Sequence, residues 1–120
     1  MSARRGSVLA AVGAVLCAFA VGLAAYASHA ADPLQAPRLA LAAAFAFGHG
    51  LALLALASRR SPMASLARGM MLVGVLAFSG GLCVAAFTGG RAPTAPFGGG
   101  LLILAWLLVG IDAWREGERR

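Results

Sequence analysis

Lysine is absent from this 120-residue sequence and acidic residues number only four, so charge of either sign is scarce at 12%. A soluble domain needs about 25% charged residues to cover its surface, and that shortfall excludes an ordinary water-soluble globule. Cysteine is nearly absent too. Cys17 and Cys83 each lie inside an apolar run, where a thiol behaves as a small hydrophobe. No Cys-x-x-Cys pair exists, and His29 and His49 are far apart, so neither a disulfide framework nor a zinc spacing is present.

What is abundant is apolar surface: 61% of the residues are hydrophobic and the mean hydropathy is +0.86. It is gathered into runs of membrane-spanning length. Residues 7–27 carry no charge, and as a helix rising about 1.5 Å per residue they cross a hydrocarbon core of about 30 Å. Residues 39–57 form a second span whose single ionisable side chain is His49, and residues 69–88 form a charge-free third. A fourth, over residues 96–111, is short and ends at Asp112, with Trp114 placed as an interfacial anchor. Asp32-Pro33-Leu34-Gln35 and Ser61-Pro62 read as helix starts, a capping side chain followed by proline, while Pro37 predicts a bend or break. The expected fold is an all-α membrane protein, one domain over residues 1–120, with four transmembrane helices packed as a compact bundle.

The ten basic residues are all arginine, which together with the many alanines and glycines is a codon-usage signature of a GC-rich bacterial genome. Arg4, Arg5, Arg59, Arg60, Arg68, Arg115, Arg119 and Arg120 fall on one side of the spans, and only Arg38 and Arg91 on the other. The positive-inside rule then places both termini in the cytoplasm of a bacterial plasma (inner) membrane. The net charge of +6 follows from these loops and from contact with anionic headgroups, and no nucleic-acid partner is expected, because basic and aromatic residues are not interleaved on one face. A basic start, an apolar stretch and Ser28-His29-Ala30 before Ala31 imitate a cleavable signal peptide, but the stretch exceeds the about 7–15 residues of a signal core, which favours a retained anchor.

Helices in lipid associate by close packing and interhelical hydrogen bonds. Small residues at four-residue spacing, Ala14, Ala18 and Gly22, then Ala77, Gly81 and Ala85, and Ala42 with Ala46, are the expected contact stripes. His49 is the one ionisable side chain deep in the membrane, and such a residue is a functional hypothesis by default. Counting from the ends of the apolar runs puts Ser79 at the same depth, so a His49–Ser79 layer is expected, either relaying a proton or fastening two helices. His29 emerges at the outer end of the first helix, either as a solvated or capping residue or as the outer-mouth member of a polar intramembrane or interface site with His49 and Ser79. Asp112 is expected to pair with Arg68 or Arg115, and Gly98-Gly99-Gly100 to permit close packing where the fourth helix enters. No Ser-His-Asp set or carboxylate pair falls at a common depth. Catalytic, cofactor-binding and metal-ligating residues are therefore not assigned, and an enzyme is not expected.

Four segments resemble the domain-of-unknown-function 423 family of small bacterial inner-membrane proteins, related to the eukaryotic transmembrane protein 256. Ala24-Ala25-Tyr26-Ala27-Ser28-His29 looks like the family's Gly-Ala-Phe-Gly-Ala-His, and Gly48-His49-Gly50-Leu51-Ala52-Leu53-Leu54 is similar to its His-Ala-Leu-Ala-Leu-Leu. Phe78-Ser79-Gly80-Gly81-Leu82 is similar to Phe-Ser-Gly-Ser-Leu, and Pro96-Phe97-Gly98-Gly99 with Trp106 to Pro-x-Gly-Gly and a later tryptophan. Ala24 and Ala27 replace both glycines of the first segment. The resemblance implies four membrane helices and a retained first helix, and implies no activity. Three functions are consistent with these residues: a non-enzymatic accessory or scaffold protein whose partners are the bilayer, other membrane proteins or a second copy; a small transporter or proton-linked sensor using His49; and a site for lipid or quinone between helices.

Overall fold

The computed structural model describes residues 2–120. They form four helices: α1 (Ser2–His29), α2 (Ala36–Ala55), α3 (Pro62–Thr88) and α4 (Thr94–Arg119). All four are long and apolar enough to cross a bilayer, and the chain is a multi-pass membrane protein built as a four-helix bundle. The molecule measures 51 Å along the bundle and 24 by 22 Å across it. Its length exceeds a hydrocarbon core of about 30 Å, so the helix ends project into the headgroup regions.

The helix ends explain where the observed bounds depart from the apolar runs. Ser61 caps α3 as its sequence predicts: its backbone is extended, its hydroxyl accepts from the Ala64 N–H at 3.0 Å, and Pro62 follows. Because this start lies upstream of the charge-free run, Arg68 falls inside α3. Asp32 does not cap α2. Its carboxylate accepts from the Leu34 N–H at 2.8 Å and its carbonyl from Gln35 and Ala36, closing a separate turn. The helix then begins at Ala36, and Pro37 sits in its first turn, where the missing N–H has no intrahelical partner to lose. The expected bend is therefore absent. Pro96 lies in the first turn of α4 for the same reason, and α4 runs on through the polar residues to Arg119, well past the 96–111 anticipated.

Substantial packing joins helices that are neighbours in sequence, α1 to α2, α2 to α3 and α3 to α4. Two glycine pairs set the closest approaches. A Cβ on Gly13 would lie 2.5 Å from the Gly50 carbonyl oxygen and one on Gly50 2.5 Å from that of Gly13. Between α3 and α4, a Cβ on Gly98 would meet the Gly74 carbonyl at 2.5 Å, which bears out the packing role of the glycine triplet at its first member. Small residues thus bring backbones together as lipid-embedded helices require. The expected stripe Ala14, Ala18 and Gly22 is a misassignment: all three are exposed on the outer side of α1, and its inner face is Gly6, Gly13, Ala20, Leu23 and Ala27. Ala42, Ala46 and Ala85 do face inward, around a core whose largest fully buried side chains are Leu39, Leu53, Met71 and Val75.

Candidate functional site

His49 lies on the buried face of α2, 7% exposed. Its Nδ1 is 2.7 Å from the Phe45 carbonyl oxygen one turn earlier, and the Trp106 indole N–H of α4 donates to its Nε2 at 3.1 Å. Indole nitrogen only donates and a carbonyl only accepts, so these partners assign the tautomer: the proton sits on Nδ1 and Nε2 is the acceptor. The ring stacks on Phe45 at 5.7 Å, and Phe45 meets Phe78 of α3 at 4.4 Å. The imidazole is thereby held between α2 and α4, with Phe78 of α3 packed on the far side of Phe45. Beside it, an open, mainly apolar cavity of about 460 Å³ is bounded by Phe45, Phe78, Gly99, Leu102 and Trp106.

Ser79 is also buried, but the expected His49–Ser79 layer does not form. The Ser79 hydroxyl donates to the Ala42 carbonyl at 2.8 Å, fastening α3 to α2. Ala42 lies about 10 Å along α2 from His49 at the rise of an α-helix. The depth count erred because α3 starts at Pro62 and not at the charge-free run. The same count, taken from Pro96 along α4, puts Trp106 level with His49, so the sequence does carry a signal for this partner. His29 is exposed as the last residue of α1 and joins neither group.

At the arginine-rich end, Asp112 pairs with Arg59, not with Arg68 or Arg115 as expected. The Arg59 guanidinium donates to one carboxylate oxygen at 2.6 and 3.0 Å, and Ser61 donates to the other at 2.5 Å. Arg59 also reaches Glu116 at 2.6 Å. The α2–α3 loop is thus tied to the end of α4, a connection that required the loop's folded path. Arg68, 3% exposed, turns back to the end of α2, where its Nη1 donates to the Leu56 and Arg59 carbonyls at 2.6 and 2.8 Å and its Nη2 to Ser65 at 3.2 Å. A cation there adds to the Arg59 N–H already bonded to the Leu56 carbonyl at the end of α2 and complements the helix dipole. Among the described residues, no three of His, Cys, Asp and Glu are grouped to hold a metal ion.

Residues 23–99, more than half the chain, match the model of a family described as Protein of unknown function (DUF423). No curated protein and no solved structure matches.

Proposed function

The chain belongs to the DUF423 family of proteins of unknown function, and from that premise we propose that it is a non-enzymatic accessory or scaffold protein of a bacterial inner membrane. The arginine-rich end then faces the cytoplasm with both termini. The observation that carries this reading is the geometry of His49. A transporter or proton-linked sensor would rest on this side chain, yet both ring nitrogens are engaged by Phe45 and Trp106. With Nδ1 held by the Phe45 carbonyl of its own helix and Nε2 by the Trp106 indole, the ring ties α2 to α4 by an interhelical hydrogen bond. The residue acts as a fastener.

A scaffold also needs surface for a partner. The face between α1 and α3 offers an apolar groove of about 430 Å³ with Ala46 at its floor and Phe19, Leu76, Val84 and Phe87 on its walls. Photocrosslinkers at Phe19 and Val84 in intact membranes, followed by mild-detergent pull-down, test the reading. Covalent adducts to a defined membrane protein or a second copy are expected. Lipid adducts alone, with a purified chain that runs only as a monomer, would overturn it.

A further inference from the structure

The arginine-rich end of the bundle holds a cavity that the scaffold reading does not use. Gly6 of α1 sits against the end of α2 so closely that a Cβ on it would lie 2.6 Å from the Ala57 carbonyl oxygen. Beside this contact opens a space of about 310 Å³, bounded by Ser7, Ser58, Arg59, Arg60, Ser65 and Arg68. That volume is within the range of small-molecule sites, about 300–1,000 Å³. Its lining holds three arginines and three serines and no carboxylate.

The charge balance at this wall is incomplete. Arg59 is neutralised by Asp112 and Glu116. Arg68 is 3% exposed and makes no ion pair among the described residues; its hydrogen bonds go to carbonyls and a hydroxyl, and its Nε–H is buried without a partner. A buried cation with no counter-charge and an unsatisfied donor is costly. Arg60 is exposed at the rim, likewise without an ion pair among the described residues. Arginine forks and serine hydroxyls suit the oxygens of a phosphate group.

We propose that this cavity binds a phosphate-class anion, carried by a phospholipid headgroup or free in solution, with Arg60 and Arg68 as the charged contacts. A phosphate there supplies the counter-charge that Arg68 lacks. The position at a helix end, in the headgroup region, suits a basic pocket between membrane helices.

The test uses the full chain in dodecyl maltoside micelles, which carry no phosphate, with phosphatidylglycerol and phosphatidylcholine as equal minor components in one arm and inorganic phosphate in the other. Native mass spectrometry counts retained lipid, and thermal unfolding reports protection by phosphate. Phosphatidylglycerol is expected to be retained in preference to phosphatidylcholine, with affinity falling about fivefold in Arg60→Gln and on raising the salt. Arg68→Gln should lose at least as much, and Arg115→Gln, outside the cavity, nothing. Protection by inorganic phosphate without retention of phosphatidylglycerol would assign the site to a soluble phosphate. No preference for the anionic lipid together with no protection by phosphate would overturn the proposal, as would parental binding in Arg60→Gln. Arg60 is exposed and holds no helix end, so its variant keeps the test valid if Arg68→Gln does not fold.

Discussion

Removing the indole N–H that reaches His49 should weaken the bundle by an amount that belongs to the pair and to neither residue alone. Trp106→Phe keeps an aromatic ring at the site but deletes the donor 3.1 Å from Nε2, leaving an acceptor on a side chain only 7% exposed. Interhelical side-chain hydrogen bonds in membranes average about 0.6 kcal/mol and reach about 1.7. The geometry here, with the ring also stacked on Phe45, places the coupling between His49→Leu and Trp106→Phe in the range of about 0.6–1.7 kcal/mol. The assay is a double-mutant cycle on the reconstituted chain, unfolded by dodecyl sulfate in mixed micelles and followed by helical ellipticity. A parallel cycle between His49→Leu and Ser79→Ala should be additive within about 0.3–0.5 kcal/mol, because Ser79 bonds to Ala42. Additivity in the Trp106 cycle, or coupling only in the Ser79 cycle, would refute the assignment of His49 as the α2–α4 fastener.

Two further substitutions probe the packing and the arginine-rich end. Gly13→Ala forces a methyl group against the Gly50 carbonyl and Leu53 and should cost about 1–3 kcal/mol in the same titration. Gly22→Ala, which meets nothing within 4 Å, should stabilise α1 by about 0.5–1 kcal/mol, and the reverse order would show that the outer stripe is the true interface. Asp112→Asn removes the charge that holds Arg59 and Ser61, at a cost of about 1.5–3 kcal/mol for charged hydrogen bonds. Faster hydrogen exchange at residues 56–61 should report it, whereas Arg115→Gln should leave those amides unchanged.

Membrane residence, the number of helices and the Ser61 cap follow from the sequence alone, because hydrophobic run length against bilayer thickness and local capping chemistry involve only residues close together in the chain. His49 stood out for the same reason, as the lone ionisable group in an apolar span. Which neighbour it meets was decided only by the tertiary structure. A depth count fixes height along a helix but neither rotation about its axis nor the helix start, and in a chain so rich in alanine and glycine many small-residue stripes look equivalent. Ala14, Ala18 and Gly22 formed such a stripe and face outward; Gly13 and Gly50 do the packing. Backbone approach, measured in tenths of an ångström between carbonyls and absent side chains, selects one rotation of each helix. That selection brings Trp106 to His49 and Asp112 to Arg59 and leaves Arg68 as a buried cation without a counter-charge.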